Sequence, residues 1–389
     1  MKFGLRNIRT LLHRLDNPHN KIRTIHIAGT NGKGSTSSMI AAILTAAGYK
    51  VGLYTSPHLV RFNERIRING KMISDSDIAH YTRILKPTVR EIKATFFETT
   101  TAMAFQYFFD NKVDIAVIET GLGGRLDSTN VLRPLVSVIT TIGKDHTELL
   151  GRTDKSIAAE KAGIIKRRVP VVIGPIKSSA KKVIVNIAKQ KLSPVLESKK
   201  LSIPYGCTIE LLGKHQEANA KAALGAVNVV CRQFLVGDIA IRDGLENTSK
   251  LSGLRARFEI RKGTPDILID VAHNPDGIKT LVAGLQQISC SKIVIILGVM
   301  KDKDYRMILQ HLKRIKPIII ATQPHLDRAL SSKKLYSLCK EMNIACFHAS
   351  YVKEALRLGK TKTGKSGLLV VTGSHYLAGE IIPFIEKKS

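Results

Sequence analysis

Short runs of β-branched residues alternate with longer amphipathic stretches along the 389-residue chain. This alternation predicts parallel strands joined by crossover helices, because two consecutive parallel strands need a long connection. The strands predicted in the first half are "TIHIAGT", "KVGLYTS", "DIAVIET", "LVSVITTIG" and "VPVVIG". Those predicted in the second half are "DILIDVAHN", "KIVIILGV", "KPIIIAT", "IACFHAS" and "GLLVVTG". The sequence therefore predicts an α/β fold with two mainly parallel sheets, the second smaller than the first.

The length of the chain favours two domains, since a single hydrophobic core stops growing at about 250–300 residues. The segment "LENTSKLSGLRARFEI" mixes Asn, Ser and Gly with charged residues, which is typical of a linker. We therefore expect residues 1–253 to form the first domain and residues 254–389 to form the second.

The composition is that of a soluble globular protein, with 44% hydrophobic and 24% charged residues. No apolar run approaches membrane-spanning length, and the segment "MKFGLRNIRTLLHRLDNPHN" lacks the apolar block and cleavage site of a signal peptide. The five cysteines are irregularly spaced and form no CxxC pair, which argues against a disulfide framework and a zinc cluster. We expect a cytoplasmic protein with no membrane partner.

The chain is strongly basic, because 61 Lys and Arg residues minus 31 Asp and Glu residues leave a net charge of +30. Such a charge favours polyanionic partners, among them nucleic acids, nucleotides and multiply carboxylated substrates. The basic residues are spread along the chain, however, and a lysine-rich surface can simply reflect the overall composition of an organism. The charge alone leaves both interpretations open.

One glycine-rich segment indicates nucleotide binding. In "HIAGTNGKGSTSSMIAAILTAAG", a predicted strand meets three glycines and Lys33 before an alanine-rich helix. Backbone amides at the start of that helix would face an anion, and Lys33 would neutralise the outer phosphates. Ser35 or Thr36 could offer a hydroxyl to a magnesium ion. The spacing G-x-x-G-K-G-S departs from the standard G-x-x-x-x-G-K-[ST], so this loop is a variant.

Three polar residues are expected at the carboxyl edge of the first sheet. Glu119 closes the strand in "IETGLGGRLDSTN", while His146 and Ser56 follow strands in "TTIGKDHTELLG" and "YTSPH". Open α/β sheets bind ligands at this edge, and a carboxylate there suits a hard cation. Structural explanations exist for each: Glu119 could pair with Arg125, and His146 could cap a turn. Ser56 could cap a helix that starts at Pro57.

Eight segments, in order and spacing, resemble the folylpolyglutamate synthases and dihydrofolate synthases of the Mur ligase superfamily. They are "HIAGTNGKGST", "YTSPHLVRFNERIRING", "FFETTTAMAF", "IETGLGGRLDSTN", "DHTELLG", "EKAGIIK", "GKHQEANAKAAL" and "DVAHNPDG". The resemblance implies a Mur-ligase-like α/β fold. Its N-terminal domain would be a P-loop ATPase domain with a parallel sheet, and its smaller C-terminal domain a Rossmann-like glutamate-ligase domain. The altered loop resembles the Mur-type variant found in ATP-dependent ligases that join an acid to an amine.

The resemblance implies roles on the nucleotide side of the site. The residues implied to hold the ATP phosphates are Thr30, Asn31, Gly32, Lys33, Gly34 and Ser35. Those implied to bind magnesium, two ions in all, are Ser56, Glu119, His146 and Lys161. Asn219 would contact the adenine side, and Arg257 and Asp270 would reach the nucleotide from the second domain. The implied catalytic residues are Lys33, His146, Lys161 and His273, the last near the incoming amino acid.

Lys161, in "EKAGI", resembles the lysine that takes up carbon dioxide in this family and becomes a carbamate. A carbamate is an anion that could bind magnesium, whereas a free ammonium would repel it. The alternative is a lysine on a helix surface, paired with Glu160 or another neighbour.

For the folate substrate, the resemblance points to three segments. They are Lys2, Phe3 and Gly4; Thr95, Phe96, Phe97 and Glu98; and Leu126, Asp127 and Ser128. Aromatic rings suit a flat heterocycle, although a phenylalanine is more often a core residue. The chain departs from the family in having "RAR" where P-G-R is usual, and in starting at "MKFGL" without an upstream segment that many relatives carry.

The first functional hypothesis is an ATP-dependent ligase that adds L-glutamate to dihydropteroate, or to the glutamate tail of tetrahydrofolates. A substrate carboxylate would attack the γ-phosphate, and the glutamate amine would displace phosphate from the resulting acyl phosphate. The second hypothesis is a nucleic-acid-stimulated NTPase, and the third is a Mur ligase of cell-wall intermediates. The sequence favours the first, a monomer that acts on small molecules without nucleic acid. It does not distinguish the two acceptors.

Overall fold

The structure is a computed structural model that describes residues 4–386. The described residues form two compact units. The first comprises the chain up to Pro57 together with Phe62–Glu210 and Gln216–Leu254. The second comprises His58–Arg61, Leu211–His215 and the chain from Arg255 onward. Among the described helices, none combines the length and the hydropathy that a membrane span needs.

An eight-stranded sheet forms the centre of the first unit, in the order β4-β3-β2-β5-β1-β6-β7-β8. The strands are β1 (Thr24–Ala28), β2 (Val51–Tyr54), β3 (Ile66–Ile68), β4 (Lys71–Met72), β5 (Ile115–Glu119), β6 (Val136–Ile139), β7 (Val171–Ile173) and β8 (Val195–Glu197). β1 lies between β5 and β6 and pairs in parallel with both. All residues of β1, β2, β5 and β6 are buried, as expected for parallel strands covered on both faces.

Ten helices accompany this sheet in the described chain. They are α1 (Arg6–His13), α2 (Lys33–Ala46), α3 (Asp75–Ile92), α4 (Phe96–Asp110), α5 (Thr147–Leu150), α6 (Asp154–Ala162), α7 (Ser178–Gln190), α8 (Lys214–Val230), α9 (Asp238–Glu246) and α10 (Thr248–Ser252). Helix α4 packs with α1, β2 and β5 in an apolar cluster that includes Phe105 and Phe108. This cluster fixes the start of α4 against the sheet.

The second unit contains a six-stranded sheet in the order β13-β12-β11-β14-β10-β9. Its strands are β9 (Glu259–Arg261), β10 (Asp266–Ile269), β11 (Ile293–Leu297), β12 (Ile318–Ala321), β13 (Cys346–His348) and β14 (Leu368–Thr372). Its helices are α11 (Pro275–Leu285), α12 (Tyr305–Lys313), α13 (Ser332–Glu341), α14 (Val352–Thr363) and α15 (His375–Glu386). Alternate residues of β11 belong to two different apolar clusters, so the unit has a core on each face of its sheet.

All ten predicted strands are present, and β3, β4, β8 and β9 are additional. Each of these four is only two or three residues long, and none is a continuous apolar run, so the pattern that identified the other strands was missing. Strands β3 and β9 are antiparallel to their neighbours β2 and β10, at the side of the parallel part of each sheet.

The segment predicted as a linker has regular secondary structure. The segment "LENTSKLSGLRARFEI" contains α10 and leads into β9, and the chain passes from one unit to the other between Leu254 and Arg255. Two of its polar residues are buried: the Thr248 hydroxyl donates to Gly244 O at 2.9 Å, and the Ser252 hydroxyl donates to Thr248 O at 2.7 Å. Hydroxyls of this kind satisfy helix carbonyls, which composition alone does not reveal.

Replacing Phe108 with Ala should destabilise the first unit by about 3–5 kcal/mol, because the ring is fully buried and its removal leaves a cavity. Phe109→Ala is the matched control, since Phe109 is the next residue of α4 and 36% exposed, and it should cost about 1 kcal/mol or less. Urea denaturation of both variants measures the difference. Equal losses in the two variants would contradict the assignment of Phe108 to the core.

Candidate functional site

The phosphate loop connects β1 to α2, and at two of its positions there is room only for glycine. A Cβ at Gly29 would collide with the hydroxyl of Thr140, and a Cβ at Gly32 would collide with the side-chain oxygen of Asn219. Gly32 also has a φ of 83°, which favours glycine. The first turn of α2 contains no acidic residue and no side chain caps it, so its amides are available to an anion.

The loop after β6 braces the phosphate loop. The backbone N–H of Thr30 donates to Thr141 O at 2.9 Å, and its hydroxyl donates to Gly143 O at 3.1 Å. The hydroxyls of Thr140 and Thr141 both donate to Asn31 O, at 2.7 and 3.0 Å. The polar groups of Thr30 are therefore engaged with the neighbouring loop, so in this structure Thr30 positions the phosphate loop.

Lys33 and two hydroxyl residues lie at the start of α2. Lys33 Nζ donates to the carbonyls of Gly29 and Thr30, at 3.1 and 3.4 Å, so the ammonium lies over the loop. Ser35 and Thr36 are buried in the first turn of the helix. Within the described chain, the buried Thr36 hydroxyl has no hydrogen-bond partner. Such a group needs an explanation, and a ligand or ion that binds there is one.

Lys161 lies at the end of α6 with only 4% of its surface exposed. Its Nζ donates to Gly29 O at 2.9 Å, which brings the amine to the phosphate loop. Burial and the positive charge of Lys33 lower the pKa of Lys161 to about 7, although Asp145 and Asp127 oppose the shift. Lys161 is therefore a buried amine that is partly neutral at neutral pH.

The ion pair between Arg125 and Glu160 excludes two other ion pairs that the sequence allowed, Arg125 with Glu119 and Lys161 with Glu160. Arg125 Nε and Nη2 lie 3.0 and 2.9 Å from Glu160 Oε1. Arg125 thus pairs with Glu160 instead of Glu119, and Glu160 pairs with Arg125 instead of Lys161. The structural explanations that the sequence left open for Glu119 and Lys161 are wrong.

Glu119 and Ser56 lie at adjacent strand ends. Glu119 is the buried last residue of β5 and is level with Ile27 of β1. Ser56 follows β2, which pairs with β5, and the next helical turn after it begins only at Phe62. The helix-cap explanation for Ser56 is therefore wrong. The order β2-β5-β1 places Ser56, Glu119 and the phosphate loop along one edge of the sheet.

His146 lies on the loop after β6, at the same edge. Its φ is 50°, and its carbonyl accepts hydrogen bonds from the N–H groups of Leu149 and Leu150. Its backbone therefore caps the start of α5, which agrees with the alternative that His146 caps a turn. Its imidazole is 40% exposed and lies 3.9 Å from Asp145, measured from Nε2 to Oδ1. Across residues 4–386, no three His, Cys, Asp or Glu side chains group together as a metal site.

Asn219 lies beside the phosphate loop in the first unit. It is buried on α8, where its side-chain oxygen faces Gly32, and its Nδ2 donates to Gln216 Oε1 at 2.9 Å. Gln216 thus fixes the orientation of the Asn219 amide. The structure brings Asn219 to the phosphate loop, from a part of the sequence almost two hundred residues away.

The two phenylalanines predicted for the folate side differ in their surroundings. Phe96 is 60% exposed, and its ring contacts Phe62 at a centroid distance of 5.8 Å and the Arg65 guanidinium at 5.3 Å. Phe97 is half-buried, with its ring 6.1 Å from that of Tyr54 and directly against Gly121. The interpretation of Phe96 as a core residue is therefore wrong, and its ring has a face available for stacking.

Thr95 and Glu98 form a capping box at the start of α4. The Glu98 N–H donates to Thr95 Oγ1 at 3.2 Å, and the Thr95 N–H donates to Glu98 Oε2 at 2.7 Å. Both side chains thus hold the turn that presents Phe96. Gly4, from the N-terminal segment, is half-buried, whereas Lys2 and Phe3 lie outside the described residues.

Asp127 is a buried carboxylate in the loop after β5, between half-buried Leu126 and buried Ser128. Its Oδ1 accepts from Thr129 N and Thr129 Oγ1, at 3.0 and 2.6 Å, and its Oδ2 accepts from Leu122 N at 2.8 Å. Burial raises the pKa of Asp127 in spite of these bonds. Asp127 also opposes the lowering of the Lys161 pKa, so its carboxylate lies near the Lys161 amine.

In the second unit, Arg257, Asp270 and His215 are neighbours. Asp270 Oδ1 and Oδ2 accept from the N–H groups of Ala272 and Phe258, both at 2.8 Å. Desolvation raises the pKa of Asp270, whereas the Arg257 guanidinium lowers it. Desolvation also lowers the pKa of His215, which Asp270 opposes. The structure thus places the two predicted residues together.

His273 follows Asp270 in the loop after β10. Its Nδ1 lies 2.9 Å from Val271 O, and its ring centroid is 5.4 Å from that of His375. The imidazole is therefore held at the carboxyl end of a strand in the sheet of the second unit.

Several residues that shape the site were not predicted from the sequence, namely Thr140, Thr141, Gln216 and His215. Thr140 and Thr141 directly follow β6, so a polar pair at a strand end was a usable signal. His215 and Gln216 belong to the quoted segment "GKHQEANAKAAL", of which only Asn219 received a role. His215 acts together with Arg257 and Asp270, which are distant in sequence, whereas Gln216 contacts Asn219 within the same helix.

Two family models match the chain. The Mur ligase middle domain matches residues 27–227, and the Mur ligase, glutamate ligase domain matches residues 256–375. A curated relative from Bacillus subtilis, named dihydrofolate synthase/folylpolyglutamate synthase, is 34% identical over 98% of this chain and 94% of its own length.

Solved structures agree with these matches. A structure of Escherichia coli FolC in complex with DHPP and ADP has a TM-score of 0.91 and 28% identity, covering 100% of this chain and 94% of that one. A Yersinia pestis bifunctional folylpolyglutamate synthase/dihydrofolate synthase, complexed with AMPPNP and Mn ion, has a TM-score of 0.89 and 29% identity over 99% of this chain and 94% of that one. These matches confirm the predicted α/β fold. The chain belongs to the folylpolyglutamate synthase and dihydrofolate synthase family of Mur ligases.

Proposed function

We propose that this chain is an ATP-dependent ligase that adds L-glutamate to dihydropteroate, to the glutamate tail of tetrahydrofolates, or to both. The observation that carries the proposal is the buried Lys161 amine held on Gly29 of the Mur-type phosphate loop. In the reaction, an acceptor carboxylate oxygen bonds to the γ-phosphorus as the bond to ADP breaks. The glutamate nitrogen then bonds to the carbonyl carbon of the acyl phosphate, and phosphate leaves.

The phosphate loop, residues 30–35, binds the nucleotide phosphates in this proposal. Its support is the uncapped first turn of α2 and the position of Lys33 over the loop. Lys33 needs only to leave the carbonyls of Gly29 and Thr30 to reach a phosphate oxygen. Its charge then stabilises the negative charge that develops during phosphoryl transfer. We assign this role to residues 1–253 as the ATP-binding domain.

Ser56, Glu119 and His146 fit a divalent hard cation. They offer a hydroxyl, a carboxylate and an imidazole at one sheet edge, and magnesium completes a small protein donor set with water and phosphate oxygens. A relative's structure contains AMPPNP and Mn ion. When bound, the metal supplies positive charge that polarises the transferred phosphoryl group. We propose magnesium here, with Lys161 at a second ion.

A carbamate on Lys161 follows from the state of its amine. Carbon dioxide reacts with a neutral amine, and a pKa of about 7 leaves roughly half of the Lys161 side chains neutral at pH 7. The amine nitrogen bonds to the carbon of carbon dioxide and loses a proton, which leaves an anion. The anion removes the repulsion between Lys161 and Lys33 and can serve as a magnesium ligand.

The second unit contributes the other substrate contacts in this proposal. Arg257 and Asp270 contact the nucleotide, and His273 lies near the glutamate amine. The support is the neighbouring placement of Arg257 and Asp270 and the position of His273 after β10. We assign residues 254–389 as the glutamate-ligase domain.

The folate acceptor binds at three segments in this proposal. The exposed ring of Phe96 stacks on the heterocycle, Phe97 supports it, and the Asp127 carboxylate accepts its N–H donors. The remaining proposed contacts are Gly4, Thr95, Glu98, Leu126 and Ser128. We propose a cytoplasmic monomer whose partners are these small molecules.

The purified protein should release phosphate from ATP only when glutamate and a folate acceptor are both present. Dihydropteroate and tetrahydrofolate, tested side by side, distinguish synthesis of the first amide from extension of the glutamate tail. Mass spectrometry should find a product heavier by one glutamate residue. Failure with both acceptors would contradict the proposed function.

Duplex DNA and RNA are the controls for the basic surface in this assay. Neither should stimulate ATP hydrolysis, and binding should fade as salt rises, because only nonspecific charge contacts are expected. Sequence-selective binding that persists at moderate salt would favour the nucleic-acid hypothesis instead.

Glu119→Gln should reduce ligation at least a hundredfold, because the amide is neutral and a weaker ligand for magnesium than the carboxylate. Glu148→Gln is the matched control, since Glu148 is an exposed carboxylate on α5, and it should keep wild-type activity. Initial rates across a magnesium titration measure both variants. Near-wild-type magnesium dependence in Glu119→Gln would contradict the ligand assignment.

Lys161→Ala should lose ligation, and acetate or formate should restore part of it by filling the space of the carbamate. Lys155→Ala, at an exposed position of α6, should remain active. In the wild type depleted of carbon dioxide, reactivation at a fixed concentration of dissolved carbon dioxide should be roughly tenfold faster at pH 8 than at pH 6. The reason is that the neutral fraction of Lys161 rises through a pKa of about 7.

Carbon-13 NMR with labelled carbon dioxide provides the direct measurement. The wild type should show a carbamate signal that Lys161→Ala lacks and Lys155→Ala retains. A fully active, magnesium-loaded wild type without this signal would exclude the carbamate.

A further inference from the structure

A buried chain of three side chains runs from the middle of β1 to Asp127. His26, on β1, is fully buried, and its Nε2 lies 2.8 Å from Thr129 Oγ1. Thr129 is also fully buried, and its Oγ1 lies 2.6 Å from Asp127 Oδ1. His26 and Thr129 have no role in the function proposed above.

The direction of the hydrogen bonds in this chain follows from Asp127. Its two carboxylate oxygens already accept backbone N–H groups from Leu122 and Thr129, which favours the ionised form. The Thr129 hydroxyl must therefore donate its single proton to Asp127. Its oxygen then accepts from His26, so His26 carries its proton on Nε2.

The state of His26 agrees with this direction. Burial, together with the positive charge of Lys166, lowers the pKa of His26 to about 3, so the ring is neutral and has one N–H. Its Nδ1 is buried without a hydrogen-bond partner in residues 4–386. An unprotonated nitrogen at that position avoids a buried unpaired donor, so the Nε2–H tautomer is the one that fits.

We infer that His26 and Thr129 are positioning residues for folate recognition, which hold the Asp127 carboxylate in one orientation toward the heterocycle of the acceptor. This inference rests on the proposed function, in which Asp127 accepts N–H donors of that heterocycle. The Thr129 hydroxyl fixes Oδ1 and the Leu122 amide fixes Oδ2, so the carboxylate plane cannot rotate without breaking a bond. Three of the four lone-pair positions of the carboxylate are occupied, so Asp127 presents the one that remains, on Oδ2, in a defined direction.

The location of His26 makes a purely structural role the competing explanation. His26 is two residues before the end of β1, which leads into the phosphate loop. Damage to β1 would therefore weaken nucleotide binding first, whereas a change in the orientation of Asp127 would weaken folate binding first. The two explanations differ in which substrate is affected.

Thr129→Val is the principal test, because valine keeps the shape of threonine and removes the hydroxyl. The KM for the folate acceptor should rise about tenfold or more, while the KM for ATP and the affinity for ADP should change less than twofold. Thr129→Ser restores a hydroxyl and should return the acceptor KM to within about threefold of wild type. Thermal unfolding with and without ADP shows whether each variant is folded.

Variants at His26 provide the second measurement. His26→Gln places an amide N–H near the position of Nε2 and should retain most of the acceptor affinity. His26→Leu removes the donor and should reproduce the effect of Thr129→Val. If His26→Leu does not fold, the comparison of Thr129→Val with Thr129→Ser still decides the question.

The outcomes separate this inference from the proposed function. If the wild type ligates glutamate to neither acceptor, that result contradicts the proposed function itself. If the wild type is active and Asp127→Asn raises the acceptor KM, but Thr129→Val leaves it unchanged, the inference is overturned alone. An equal rise in the KM for ATP and for the acceptor in Thr129→Val would also overturn it, since that result indicates general damage. A selective rise that serine reverses supports it.

Discussion

The site depends on the pairing of β1 between β5 and β6. This order makes the carboxyl ends of three parallel strands neighbours, so the phosphate loop lies beside Glu119 on one side and beside Thr140 and Thr141 on the other. The glycines of the loop give its backbone little conformational preference, because glycine adopts many conformations with similar ease. The flanking strands constrain the backbone through hydrogen bonds and through the close contacts at Gly29 and Gly32.

Lys161 shows how burial and charge act together at this edge. A lysine ammonium that is removed from water and placed near Lys33 loses part of its preference for the charged form. The Gly29 carbonyl accepts a hydrogen bond from either form of the amine, and among residues 4–386 no carboxylate pairs with Lys161 Nζ. The ion pair of Arg125 with Glu160 removes the nearest acidic neighbour on α6 from competition. The surroundings thus favour reaction of the amine with an electrophile over a permanent ion pair.

The sequence predicted the parts of this structure that depend on local pattern. Buried parallel strands are continuous apolar runs, so all ten were found, whereas the short strands β3, β4, β8 and β9 lacked that pattern. In the predicted linker, composition did not reveal helix α10, because Thr248 and Ser252 are polar residues that bond to helix carbonyls in the interior. In the site, the resemblance identified candidate ligands, but it gave no means of finding Gln216, whose contact with Asn219 depends on the helix that both share and on the loop they approach.

Most residues proposed for folate binding also start or brace a secondary structure element. Thr95 and Glu98 cap α4, and Asp127 caps the turn Ser128–Val131. These polar groups are therefore oriented by the backbone amides they satisfy, before any substrate is present. Because the caps lie at the ends of elements that pack on the central sheet, the packing of the first unit determines the geometry of the site. The exposed ring of Phe96 is placed in the same way, since Phe96 is the first residue of α4 and lies inside the capping box formed by Thr95 and the buried Glu98. The precision of such a site comes from the helix and strand ends, so a substitution at a cap changes both the local fold and the recognition of substrate.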